Sequence, residues 1–256
     1  YKNQLNEAST RFQTVISMNS KSSQAMKGAN LILGALDLSA QAKEKGEDFA
    51  GAAKDFATLR DTALAFKDQE GLGNSTFKKE MAQIYEASAL KEIEVAYTAS
   101  PKADGDKRKA ADSYMAFVRE FPKANKADIA VNIAAVYYYD LDDTKKTMES
   151  RLFLIDNFPK SEKYTENVAE LGFAYETIAK FGQAAEWYEK LFKLDKDYKA
   201  TKDALHRAAI FRESLGEYDQ AIQNKKDYRK AYPDDERTVG LLIDIANILE
   251  KKEDLV

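Results

Sequence analysis

The chain has no cysteine, so neither a disulfide framework nor a Cys-based zinc site is open to it, and the absence fits an oxidising compartment as well as a reducing one. Only 4 prolines and 11 glycines occur in 256 residues, so little interrupts a helix. Runs of β-branched residues are scarce. The longest apolar run, Leu31 to Leu38, is broken by Gly34 and Asp37, and falls far short of the roughly 20 residues a membrane helix needs. No basic stripe is present: net charge is −4, and Lys107 to Lys109, Lys145 with Lys146, and Lys225 with Lys226 are each flanked by Asp or Glu. Those stretches read as solvated helix faces, which argues against nucleic-acid binding. The chain begins at Tyr1 rather than Met, as an excised piece of a longer protein would, so a removed signal or anchor stays open.

A strong internal period is present instead. Phe121-Pro122, Phe158-Pro159 and Tyr232-Pro233 lie 37 and then twice 37 residues apart, and the missing member falls at Asp195-Lys196. The same step relates Ala135, Gly172, Ala209 and Ala246. It also relates Ala110, Thr147, Ala184 and Ala221; Phe117, Leu154, Leu191 and Tyr228; and Phe181, Tyr218 and Leu255. Within each period the apolar spacing is helical, as in Val168, Leu171, Tyr175 and Ile178. Each period therefore holds two amphipathic helices, A and B. Gly182 and Gly216 punctuate the A-to-B turn, and the aromatic-Pro pair closes helix B. Small residues let A and B approach closely, and Trp187 and Tyr188 should fill the space between repeats. Of Tyr137, Tyr138 and Tyr139, only one ring can point fully inward.

The first part is less regular. Leu31, Ala35, Leu38 and Ala42 make one helical row, and Phe49, Ala52, Phe56, Leu59, Ala63 and Phe66 another. Gly71 to Ser75 is a loop with Ser75 as a helix cap, and Ser100-Pro101 marks a second break. The expectation is about twelve helices in an all-α solenoid. Residues 1–74 would be degenerate helical repeats and residues 75–256 the regular array, in one continuous solenoid.

Leu171-Gly172-Phe173-Ala174-Tyr175, then Phe181-Gly182-Gln183-Ala184, Tyr188 and Leu191, resemble the tetratricopeptide repeat. So do Gly216-Glu217-Tyr218 to Ala221, Tyr228 and Pro233; the likeness covers about residues 92–256. The stretches Phe117 to Lys123 and Phe153 to Ser161 further resemble bacterial cell-envelope members of that family. Those are the lipoprotein of the outer-membrane β-barrel assembly machine and the periplasmic Tol–Pal-associated coordinator. The first 90 residues match neither, and no lipid-attachment cysteine is present.

The resemblance implies a non-catalytic protein-interaction scaffold, periplasmic or outer-membrane-associated, without cofactor or metal. A cytoplasmic regulatory adaptor is the alternative; a helical enzyme within the first 90 residues is a remote one. In such arrays a stripe of helix A lines a concave groove. Here that stripe maps to Asn132, Val136, Tyr139 and Asp140, then Glu166, Phe173 and Glu176, then Asp203, His206, Ile210 and Glu213, and last Asn247 and Glu250. Apolar residues mixed with carboxylates suggest a protein partner offering a helix or extended segment with apolar anchors and Lys or Arg. The stripe lacks the cationic, Asn-rich pattern by which chaperone-binding repeats clamp a C-terminal carboxylate.

Nothing else in the sequence carries chemistry. His206, the sole histidine, has no nucleophile context, so a surface or groove role is expected. Asp140, Asp142 and Asp143 lack the spacing of a calcium loop. Gly71 to Gly73 has neither a preceding strand nor a Gly-Lys-Ser/Thr sequence to cradle phosphate.

Overall fold

The computed structural model describes residues 2–253; Leu255, the last member of one periodic column, lies outside them. Among the described residues there are twelve helices and no strand, which agrees with the expected all-α class. They are α1 (Lys2–Met18), α2 (Ser23–Lys45), α3 (Phe49–Asp68), α4 (Ser75–Ala99), α5 (Asp104–Glu120), α6 (Ala127–Asp140), α7 (Thr144–Asn157), α8 (Tyr164–Thr177), α9 (Phe181–Leu194), α10 (Thr201–Ser214), α11 (Tyr218–Ala231) and α12 (Arg237–Glu253). The chain forms two compact units, residues 1–130 and 131–256.

In the first unit α2, α3 and α4 run 23, 20 and 25 residues. Each is capped by a side chain one turn back: Ser22, Asp48 and Asn74 accept from the backbone N–H of Ala25, Gly51 and Phe77. The cap of α4 is thus Asn74, one residue before the expected Ser75, which is already helical. Neighbouring helices run antiparallel. Lys43 and Ser39 of α2 meet Asp55 of α3, and Arg60 of α3 meets Glu92 of α4. The row Ala52, Phe56, Leu59, Ala63 and Phe66 is buried as its spacing predicts, with Leu33, Met81 and Val95 around it. The expected core row on α2 is not: Leu31 and Leu38 are 56% and 69% exposed, and Ala25, Ala29, Ile32 and Ala40 face inward instead.

In the second unit α7 to α11 shorten to 14 residues each, and α7, α9 and α11 start at residues 144, 181 and 218. Every A-to-B turn closes in the same way. Asp142, Ala179 and Gly216 take φ of 55°, 57° and 76°. The next N–H (Asp143, Lys180, Glu217) reaches back to the carbonyl of Tyr138, Tyr175 or Arg212. This is the paired bonding that satisfies orphan carbonyls at a helix end. Gly216 has the expected role, but Gly182 does not: it is the second residue of α9, and Ala179 carries the left-handed turn.

Helices B end alike as well. The N–H groups of Phe158, Asp195 and Tyr232 bond to the carbonyls of Leu154, Leu191 and Tyr228. After Phe158 and Tyr232 proline enforces the stop. Where it is missing, the Asp195 carboxylate accepts from the backbone N–H of Asp197 and Tyr198, at 2.9 and 3.1 Å, and builds the turn with its side chain.

Packing explains the periodic columns. Leu154, Leu191 and Tyr228 are fully buried, as are Ala184 and Ala221. A Cβ on Gly172 would stand 2.6 Å from the ring of Tyr188, so the space a side chain would need belongs to that ring. Ala246 breaks its column by being exposed, since no described helix follows α12 to cover it. Of the three consecutive tyrosines only Tyr138 is buried. Trp187, expected in the core, is only partly buried, with Lys190 Nζ 4.4 Å above its ring.

Candidate functional site

The stripe proposed from the sequence falls within the second unit, and its residues have different fates. Val136, Phe173 and Ile210 are 37%, 42% and 43% exposed on α6, α8 and α10. They occupy one position 37 residues apart, with exposed Asn247 the fourth member on α12. Three successive helices A thus hold a large apolar side chain in water at the same place, where a polar residue would cost the fold nothing. Tyr139 is 52% exposed beside them, and Asp140 is exposed at the end of α6.

Asn132 does not belong to the stripe. It is buried, and its side-chain oxygen accepts from Asn167 Nδ2 at 2.7 Å; Asn167 in turn accepts from Arg151 at 3.1 Å. A buried amide needs such partners, so this side chain is committed to the interior.

Several carboxylates of the stripe are likewise committed. Glu176 accepts from the Tyr188 hydroxyl at 2.6 Å and pairs with Arg207 of the next helix A. Glu213 pairs with Lys225 at 3.1 Å, and Asp244 holds the same ammonium at 3.0 Å. Lys225 is 2% exposed, so both carboxylates compensate a charge withdrawn from water. Asp203 bonds Arg237 at 2.8 Å, and Glu166 bonds Lys163 at 3.1 Å. Glu250 remains exposed, where it and Asn247 line a small cavity of about 350 Å³ with Glu213, Asp244 and Lys251. The free negative charge of the stripe is therefore smaller than its composition suggests.

His206 is half-buried, its ring edge-on to Tyr228 with centroids 5.8 Å apart. Burial lowers its pKa from the usual 6.5, and the cations Arg237 and Lys225 lower it further. Burial and the hydrogen bond to Glu176 together push the Tyr188 hydroxyl well above the ordinary tyrosine range. Neither arrangement sets a base against a nucleophile. Among the described residues no three His, Asp or Glu side chains converge as metal ligands, and no helix is long and apolar enough to cross a membrane.

Sequence reading missed the most elaborate polar cluster. Arg212, 7% exposed, forks onto both oxygens of Glu189 at 2.9 Å and also reaches Glu217 at 2.5 Å; Asn224 donates to Glu189 at 2.8 Å. Burial pushes the Glu189 carboxyl up, but Arg212 and Asn224 outweigh it and hold the group below its usual range. The signal was there: Arg212 interrupts an otherwise apolar helical row.

No family profile and no curated protein sequence matches the chain. Among solved structures it is similar to a tetratricopeptide repeat protein from Parabacteroides merdae, with TM-score 0.47 and 15% identity over 87% of this chain and 75% of that one. It is similar to the MamA protein with TM-score 0.45 and 15% identity, over 78% of this chain and 92% of that one. For YrrB, described as a tetratricopeptide repeat protein with an unusual peptide-binding site, the TM-score is 0.41 and the identity 11%, over 90% and 96% of the two chains.

Proposed function

We propose that the chain is a non-catalytic scaffold of tetratricopeptide-like helix pairs that binds a segment of another protein along α6, α8, α10 and α12. The observation that carries this reading is the exposed series Val136, Phe173 and Ile210, repeated at one position of successive helices A. An apolar ladder of this kind suits a helix or extended segment with apolar anchors, because burying each anchor returns free energy that leaving it in water forfeits. Since Glu176 and Glu213 already serve buried internal partners, the ladder rather than the carboxylates supplies the main affinity. Basic residues of the partner would find Glu250 at the stripe's margin. The likeness of residues 117–123 and 153–161 to cell-envelope repeats supports a place in a bacterial envelope assembly, periplasmic or outer-membrane-associated.

The test is a pull-down from solubilised envelope and from cytosol with the wild-type chain and a Phe173→Ser, Ile210→Ser variant. An envelope protein retained by wild type and lost by the variant, at unchanged helicity, is the expected result. Retention by both forms would remove the ladder from the binding surface, and capture from cytosol alone would remove the envelope.

A further inference from the structure

A further cavity lies within the first unit. It is a groove of about 1340 Å³ between α2 and α4, floored by Phe56 and Leu59 of α3. Because α3 runs antiparallel to both its neighbours, α2 and α4 are parallel and form two walls. Glu44 of α2 reaches Lys91 of α4 at 2.7 Å near one end. A helix of 10–12 Å diameter fills about 400–600 Å³ per turn, so the groove holds roughly two to three turns.

Two features of α2 have no explanation inside the unit. The row Leu31, Ala35, Leu38 and Ala42 has the spacing of a buried helical face, yet Leu31 and Leu38 are among the most exposed large apolar residues of the described chain. Between them, Gly34 lies in mid-helix on the groove wall, and a Cβ built there meets nothing within 4 Å. Gly172 lacks a side chain because Tyr188 occupies the space; no such neighbour exists at Gly34. Glycine in a helix interior is destabilising relative to alanine. On the groove wall Gly34 leaves a flat ledge beside the projecting Leu38, which is what a second backbone needs for close approach.

The walls carry charges of both signs, with carboxylates in excess: Asp37, Glu44 and Glu80 against Lys45 and Lys91. Among the described residues, Asp37 on α2 accepts only from the amide of Gln41, and Glu80 on α4 has no cationic partner. With Glu44 paired to Lys91, Asp37 and Glu80 outnumber the remaining lining cation, Lys45, so the groove keeps a net negative charge.

We infer that this groove seats an amphipathic helix from another protein, its apolar face over Leu38, Gly34 and the α3 floor, with Lys or Arg set against Asp37 and Glu80. The inference does not rest on the ladder on α6, α8 and α10 or on the function read from it.

The whole chain is titrated by fluorescence anisotropy against a labelled 14-residue helical peptide with leucines at i, i+3, i+7 and lysines flanking them. A second peptide carries glutamates in place of the lysines. The lysine peptide should bind at least tenfold more tightly, and Gly34→Leu, which fills the ledge from an exposed position, should weaken it tenfold or more. Leu38→Glu should do the same, and Phe173→Ser should leave it unchanged. Gly34→Ala should raise the melting temperature, which shows that the glycine is not kept for folding. Equal affinity for both peptides, or undiminished binding by Gly34→Leu, overturns the proposal. So does dimerisation of the chain alone that Leu38→Glu abolishes, since the occupant would then be a second copy.

Discussion

The two units solve the same packing problem with different materials. In residues 1–130, Ser88 is the one buried polar side chain among the described residues; in residues 131–256 there are nine, including Arg151, Arg212 and Lys225. The first unit has long helices of drifting length, while the second repeats 14-residue helices with the same turn at each A-to-B junction. Apolar contact is non-directional, so an apolar interface tolerates a slipped or lengthened helix. A buried charge needs its counter-charge at hydrogen-bond distance and cannot slip. Regular period and buried polar pairs occur together because the second fixes the first.

That contrast can be broken. The largest effect should come from Tyr228→Ala, which empties a fully buried ring position and should cost about 3–5 kcal/mol in chemical denaturation. Next, Glu189→Ala leaves Asn224 without its acceptor and Arg212 with Glu217 alone, and should cost about 3 kcal/mol. Adding Arg212→Met should recover much of that loss. Ser88→Ala in the first unit should change stability by about 1 kcal/mol or less, because its hydroxyl only bonds the Ile84 carbonyl of its own helix. If Glu189→Ala costs no more than Ser88→Ala, the polar pairs do not hold the register.

Smaller effects sharpen the same picture. Ala179→Gly should stabilise by about 1 kcal/mol, since an L-residue pays for the left-handed turn that Gly216 takes freely, and Gly216→Ala should lose a similar amount. The smallest concerns acid. The folded state holds His206 neutral below the pH at which the unfolded chain protonates it, so the unfolded state binds more protons. Stability should fall as pH drops below about 6.5, and His206→Gln should flatten that part of a melting-temperature profile.

The repeat was legible because packing writes it in side-chain size: Ala184, Ala221, Leu191 and Tyr228 keep their columns wherever a helix faces a neighbour. The period placed the turn at Asp195, but how it is built was not legible, since an aspartate that makes its own bend leaves no proline to mark it. Ala179 gave no sign of its left-handed φ, which the helix end imposes and the side chain merely tolerates. The carboxylates misled most. Glu176 and Glu213 advertise charge, but their partners Arg207 and Lys225 are 31 and 12 residues away, and a sequence displays a charge without its destination. On α2 the spacing of Leu31 and Leu38 marked an apolar face correctly but could not say which body covers it.

The junctions of the second unit are also unlike one another in a useful way. At one register position the chain places Arg151, then Tyr188, then Lys225, and opposite them Glu170, then Arg207, then Asp244. Helix pairs so similar in backbone risk stacking out of order as they fold, or trading places between molecules. A pair that slid along by one repeat would bring Arg207 toward Lys225 or Arg151, and would leave Glu170 or Asp244 facing Tyr188 without its cation. The polar groups thus act as an address on each junction, rejecting a wrong neighbour that the apolar surfaces alone would accept.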